Sequence, residues 1–256
     1  SIQLSDSINS IGKKPVDLSK EEVIQIVNDF VKGIANAKKA GADMVEFHAA
    51  HSSTLADFLS KAGNKREDQV GGDVKGRSRI VVEIIKRAKA NLKENLVLGI
   101  IINGEDFVFG GNTLNDSIAI AKHLEESGVD FIHVSAGARK DDGENSYSMM
   151  RSEPSADFPD ACNMYLAEAI KDSVDVPVIG GGKIPSTKDA EVHLAEGRTD
   201  LISMGRALFA DAKLIVKEKA GKFDEVVKCT YCNECVNSVR SGQQADCPQW
   251  KASQFI

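Results

Sequence analysis

Residues 39–47 read KAGADMVEF, and the same phrase returns at 126–134 as ESGVDFIHV and at 195–204 as AEGRTDLISM. Each runs glycine, one or two residues, aspartate, then a short apolar stretch. That order is expected where a glycine closes a helix and the chain turns directly into a buried strand. Working outward, five apolar runs have strand length: 44–49 (MVEFHA), 96–102 (LVLGIII), 131–135 (FIHVS), 176–180 (VPVIG) and 201–204 (LISM). A helical pattern precedes each, at 21–40, 78–92, 114–127, 162–172 and 187–196. The first sets Val23, Ile24, Ile26, Val27, Phe30, Val31 and Ile34 on one face. Alternation this regular predicts an α/β fold with a parallel sheet. A TIM barrel, (β/α)8, is favoured over a doubly wound sheet, because no G-x-G-x-x-G turn opens a strand-to-helix junction.

A complete (β/α)8 barrel occupies about 250 residues, and the chain has 256. Only five strands are legible, however. The opening SIQLSDSINSIGKKPVDLSKEEV is polar and turn-forming where another unit would have to fit. A barrel with strands missing exposes open edges, so those edges are expected to be covered by something else.

With 42% hydrophobic and 27% charged residues, the composition is that of an ordinary globular protein, and the net charge of −6 leaves no nucleic-acid footprint. No apolar run is long enough to span a membrane, and residues 1–20 lack the apolar core of a signal peptide, so a cytoplasmic location is expected. In that reducing compartment, clustered cysteines point to metal ligation rather than disulfides.

Four of the five cysteines are Cys229, Cys232, Cys235 and Cys247, spaced C-x2-C-x2-C-x11-C. Three thiolates at that spacing can wrap one face of a cubane, and a distant fourth can close the last iron, which favours a [4Fe-4S] cluster. Pro248 after Cys247 agrees with that pattern. Structural zinc, with two separate C-x2-C knuckles in its usual form, is the alternative, and unrelated thiols a third reading. Cys162, outside the run, reads as a small core residue.

The stretch at 41–89, GADMVEFHAAHSSTLADFLSKAGNKREDQVGGDVKGRSRIVVEIIKRAK, resembles the signature of the Old Yellow Enzyme superfamily. The agreement takes in Gly41, Asp43, Val45, Glu46, His48, Ala50, His51, Leu55, Phe58, Leu59, Asn64, Arg66, Asp68, Gly71, Gly72, Arg77 and Arg79. VPVIGGGKI (176–184) and DLISMGRALFAD (200–211) look like the last two strands of that family's barrel. The cysteine run with Asn233 is similar to the iron–sulfur branch, which includes 2,4-dienoyl-CoA reductase, trimethylamine dehydrogenase and 2-enoate reductase.

This resemblance implies a barrel incomplete in this chain, carrying strands four to eight over residues 1–222, followed by a cluster-binding segment at 223–256. It implies FMN and a [4Fe-4S] cluster as cofactors. His48 and His51 would hydrogen-bond a substrate carbonyl oxygen; His123, His133 and His193, outside the motif, read as structural or exposed. Gly180, Gly181 and Gly182, with Lys183, Gly205 and Arg206, would cradle the flavin phosphate, although a glycine triplet alone fits a tight turn equally well. Departures from the pattern are Ser53 for a proton-donating tyrosine, Ile101 for an arginine that faces the flavin, Val70 for tyrosine, and Gln249-Trp250 after the fourth cysteine.

The function expected on these grounds is reduction of an activated C=C bond in an enoyl-CoA or enoate, the cluster relaying electrons to FMN. A complementary chain supplying the first three strands is expected, rather than a fragment of a longer protein, together with an FAD- and NAD(P)H-binding electron donor. The alternatives are a non-catalytic structural or electron-relay subunit, and an amine dehydrogenase-like subunit.

Overall fold

The computed structural model describes residues 1–6, 12–91, 96–138 and 147–250. Residue 92, expected to end a helix, and residues 251–256, placed in the cysteine segment, lie outside these, as does part of the opening stretch at 7–11. Among the described residues, six strands form one parallel sheet in sequence order: β1 (Ile2–Leu4), β2 (Met44–Ala49), β3 (Val97–Asn103), β4 (Phe131–Ser135), β5 (Val178–Gly180) and β6 (Leu201–Ile202). The helices are α1 (Lys20–Lys39), α2 (Thr54–Leu59), α3 (Val74–Asn91), α4 (Leu114–Glu126), α5 (Tyr147–Ser152), α6 (Met164–Lys171), α7 (Thr187–Ala195), α8 (Arg206–Ala210), α9 (Leu214–Lys219) and α10 (Glu234–Arg240).

The strand-free opening expected from the sequence is corrected by β1, which pairs with β2 in register Ile2↔Val45, Gln3↔Glu46 and Leu4↔Phe47. Three residues are too few to show a periodic pattern, so the pairing alone defines this strand. The five expected strands are all present, within a few residues of their predicted bounds.

The recurring glycine–aspartate phrase has a mechanical basis. Gly41, Gly128 and Gly197 sit at φ +85, +97 and +71°, the left-handed region that lets the chain leave a helix. Asp130 then accepts the Leu98 amide at 2.7 Å and pairs with Lys89 at the end of α3. Asp200 does the same one unit on, accepting the Val178 amide at 2.8 Å and pairing with Lys171 of α6. Each aspartate thus ties its own strand to the start of the neighbouring one and to a helix end.

Alternation along the strands divides the molecule into two environments. Val45, Phe47, Ala49, Leu98, Ile100, Ile102, Ile132, Val134 and Val178 are buried in the main core with α1, α3, α4 and α6. Glu46, His48, Gly99, Ile101, Asn103, Phe131, His133 and Ser135 share the opposite, inner face. Phe131 lies across Gly99, where a Cβ would meet its ring at 1.9 Å.

The most recognisable stretch of the sequence is a structural clasp. Arg66 donates to the carbonyls of Pro15 and Leu18 and pairs with Asp68. Asn64 donates to the carbonyls of Phe58 and Val70. Arg77, nearly fully buried, donates to the carbonyls of Leu59 and Gly72. These polar side chains replace water around a loop that has no sheet to satisfy its backbone.

Candidate functional site

His48 stands near the end of β2, and His51 follows just beyond it with φ +54°, next to Ser52 at φ +58°. Two successive non-glycine residues in the left-handed region cost of order 1–2 kcal/mol each. Here they turn the chain so that the imidazoles meet, with ring centroids 5.3 Å apart at 70°. His51 Nε2 is 2.7 Å from Ser135 Oγ, and its amide donates to Asn103 Oδ1. Burial pushes the His51 pKa down to about 3, with His48 and His133 adding to the shift. Burial also lowers His48, partly offset by Glu46. Both rings are therefore neutral near pH 7, each with one N–H to donate, and His48 Nδ1 is buried without a partner. Ser53, noted in the sequence as a departure from the resembled pattern's tyrosine, caps α2 by accepting the Ala56 amide and donates to the His48 carbonyl at 2.6 Å. Ile101 lies on the inner face in register with His48 and His133 and is buried.

His133, read from the sequence as structural or exposed, is part-buried and makes a pairing across the sheet. Its Nδ1 lies 3.0 Å from Glu46 Oε2, across β3, in the manner of alternate strands sharing a barrel layer. Glu46 also accepts from Gln3 of β1 at 2.5 Å. Burial alone would raise the Glu46 pKa, but His133, Gln3 and His48 outweigh it and hold the carboxyl below its usual range. The parity of F-I-H-V-S was the available signal: Phe131, His133 and Ser135 must share one face.

The glycines at β5 are demanded first by the protein itself. A Cβ on Gly181 would stand 2.2 Å from Ser203 Oγ, and one on Gly182, at φ +98°, would stand 2.8 Å from Asn163 Cβ. Gly180 packs with similar closeness against Met164, Ala167 and Thr199. Gly205 differs, having open space where its Cβ would be. Lys183 reaches the cavity wall, but its ammonium is held by the carbonyls of Ala156 and Phe158 and by Asp160 at 3.4 Å. Arg206 donates to Pro154 O at 2.7 Å and Asn233 Oδ1 at 2.5 Å, and its guanidinium lies 4.9 Å above the Tyr231 ring.

Those Arg206 contacts attach the cysteine segment. Asn233 returns a bond to Glu153 O, Arg240 pairs with Glu153, and the Trp250 indole donates to Ala210 O. Cys229, Cys232, Cys235 and Cys247 all carry free thiols, Cys232 being exposed and Cys247 buried. Tyr231 and Asn233 take φ +54 and +63°, and the Tyr231 amide donates to Cys229 Sγ at 3.3 Å. Among the described residues, no group of three or more His, Cys, Asp or Glu side chains is arranged to hold a metal ion. Cys162 is buried, as expected of a core residue.

A cavity of about 230 Å³ runs between the Ser135 that bonds His51, the glycine strands and the cysteine segment, and neither His48 and His51 nor the four cysteines line it. Its wall runs from His133 and Ser135, past Gly182, Lys183, Ser203, Gly205 and Arg206, to Tyr231 and Val236 of the cysteine segment. Tyr231 was not singled out by its sequence, although its place between Cys229 and Cys232 tied it to that loop.

Among the described residues, no helix is long and apolar enough to cross a membrane. The chain is 39% identical over 225 residues to an NADH oxidase of Thermoanaerobacter brockii, covering 87% of this chain and 33% of that protein. It is 32% identical over 233 residues to an N,N-dimethylglycine/sarcosine dehydrogenase of Chromohalobacter salexigens, covering 91% of this chain and 33% of the relative. A solved 2-naphthoyl-CoA reductase in complex with 2-naphthoyl-CoA superposes with a TM-score of 0.82 at 28% identity, over 90% of this chain and 34% of that one. The chain thus spans about a third of the length of these relatives. Residues 2–225 match the sequence profile of a single family, so that sheet, histidine pair and glycine strands all fall within the match: the chain belongs to the NADH:flavin oxidoreductase / NADH oxidase family.

Proposed function

We propose that this chain carries the flavin-binding part of an FMN-dependent oxidoreductase that reduces an activated C=C bond, of the enoyl-CoA or enoate kind, with electrons relayed through a [4Fe-4S] cluster. The observation that carries the reading is the cavity, which connects the partner of His51 to Gly182 and Gly205 and is walled by the cysteine segment. FMN would be held with its phosphate toward Gly182, Gly205 and Arg206, and it would supply the hydride-transferring group. The open space at Gly205 and the positive charge of Arg206 fit that group.

His48 and His51 would donate hydrogen bonds to the substrate's carbonyl oxygen. Neutral imidazoles can do this without themselves losing a proton, and in a site of low polarity such donors stabilise charge developing on oxygen. Ser135 fixes the His51 ring, and Glu46 fixes His133. Ser53 is committed to the helix cap and the His48 carbonyl, so protonation of the substrate's α-carbon falls to another group.

The four thiols are a soft donor set suited to iron–sulfur ligation. The left-handed turns at Tyr231 and Asn233 and the hydrogen bond from the Tyr231 amide to Cys229 Sγ suit a loop that wraps its ligand. The strands that complete the barrel would come from polypeptide outside these residues, in a complementary chain or the rest of a longer protein, and an FAD- and NAD(P)H-binding unit would donate electrons.

The test is spectroscopic, on the protein purified from its own source under anaerobic conditions. Flavin and iron–sulfur bands bleached by NADH and restored by a 2-enoyl thioester are expected. Bleaching by a tertiary amine, with no reoxidation by the thioester, would move the reading to amine dehydrogenation. Absence of flavin bands would leave the non-catalytic reading.

A further inference from the structure

Just past the end of β3 lies a buried carboxylate with no part in the chemistry proposed above. Asp106 is 2% exposed, and its carboxylate accepts from Ser60 Oγ at 2.7 Å, Asn103 Nδ2 at 3.0 Å and the Asn112 amide at 2.8 Å. Asn103 in turn accepts the His51 amide through Oδ1 at 3.3 Å, at the left-handed turn of His51 and Ser52. Asn103 and Ser135 are register partners on β3 and β4. Adjacent strands therefore hold His51 at one level of the sheet, by its amide through Asn103 and by its ring through Ser135.

An asparagine side chain carries an acceptor oxygen on one side and a donor NH2 on the other, and either orientation fills the same space. A neighbour that only accepts fixes the choice. Facing the Asp106 carboxylate, Asn103 turns its NH2 toward Asp106 and its oxygen toward the His51 N–H. An amide at position 106 would reverse this. The backbone N–H of Asn112 cannot turn, so the new amide keeps its oxygen there and directs its NH2 at Asn103. Asn103 would then flip and set its own NH2 against the His51 N–H, leaving that buried turn without its acceptor.

We infer that Asp106 is a positioning residue for His51, acting by fixing the orientation of the Asn103 side chain that holds the strained turn. The inference rests on the carbonyl-binding role proposed for His51 and names the groups that keep it in place.

The experiment follows hydrogen exchange of the His51 amide in full-length holoenzyme labelled with nitrogen-15 histidine, beside turnover of crotonyl-CoA, a 2-enoyl thioester. Asp106→Asn, nearly isosteric, is expected to speed His51 exchange about tenfold and to lower kcat about tenfold, with flavin reduction by NADH within about twofold of wild type. Asn103→Ala, which removes the acceptor outright, is expected to show the same loss at His51. The exchanged pair Asn103→Asp with Asp106→Asn is complementary again: the new carboxylate accepts from both His51 and the residue-106 amide. It is expected to bring His51 exchange back to within about threefold of wild type. Wild-type His51 exchange in either single variant, or a double variant no better protected than Asp106→Asn, overturns the inference. A lowered melting temperature with exchange at His51 and kcat both unchanged also overturns it, since Asp106 would then act on stability alone. If the wild-type holoenzyme does not turn over the thioester, the ene-reduction reading falls, and the exchange pattern still decides whether Asp106 positions His51.

Discussion

At the histidine end of the cavity, polar groups are held by sheet register; at the cysteine end, they are held by side chains stapling loops. His48, Asn103, His133 and Ser135 occupy inner-face positions of three adjacent strands, and their spacing follows from the pairing of those strands. Cys229, Tyr231 and Asn233 have no strand beneath them, and their placement relies on Arg206, Glu153 and Arg240. A register-held group can move only if the sheet slips, whereas a stapled loop can adjust at the cost of a few hydrogen bonds. The first arrangement suits groups that must meet a reacting atom, the second a segment that closes around a cofactor.

The largest effect that would sharpen this contrast is at His51. Replacing His51 with Ala is expected to lower kcat about 10²–10³-fold by removing a donor to the developing oxyanion, with FMN affinity within a few-fold of wild type. Steady-state kinetics beside flavin titration checks this, and a variant that retains full turnover would break the assignment. Next comes Gly181→Ala, whose Cβ must displace Ser203. Overpacking of this kind costs about 1–3 kcal/mol, read as a lowered urea midpoint without flavin. A wild-type midpoint would show that this strand end gives way as easily as a loop.

Smaller still, Arg206→Ala removes the bonds to Pro154 and Asn233. Backbone amides over 229–240 are expected to exchange about tenfold faster, while those of β2 to β4 keep their protection. Equal acceleration in both regions would erase the distinction between them.

The smallest effect concerns Glu46. Its folded-state pKa lies below the ordinary 4.5, so its stabilising contribution is present above that value and fades as pH falls through the lowered one. Glu46→Gln should therefore be less stable than wild type at pH 6, and the gap should narrow toward pH 3 in thermal melts. A gap independent of pH would mean that the carboxylate's charge plays no part in holding His133.

Much of the fold was legible because buried parallel strands are short apolar runs and their helices are amphipathic. The junction phrase was legible because only glycine leaves a helix easily at positive φ and because aspartate can grip a neighbouring strand's amide. β1 was missed, since Ile2, Gln3 and Leu4 form a strand only by pairing with Val45, Glu46 and Phe47. His48 and His51 were singled out through their motif, whereas His133, outside it, was read as structural or exposed, and Tyr231 was not singled out. The motif is also recognisable for a reason apart from chemistry: Asn64, Arg66 and Arg77 clasp a loop.

By itself the sequence determined the α/β alternation, the histidine pair, the glycine strands and the cysteine spacing, because each rests on local geometry or on residue types repeated at short range. Only the tertiary structure decided what those groups face. It set Glu46 of β2 against His133 of β4, engaged Lys183 and Arg206 with loop carbonyls, and brought Tyr231 to the cavity wall. These contacts join residues far apart in the chain, and their partners are fixed by strand register and loop closure, which no local pattern encodes.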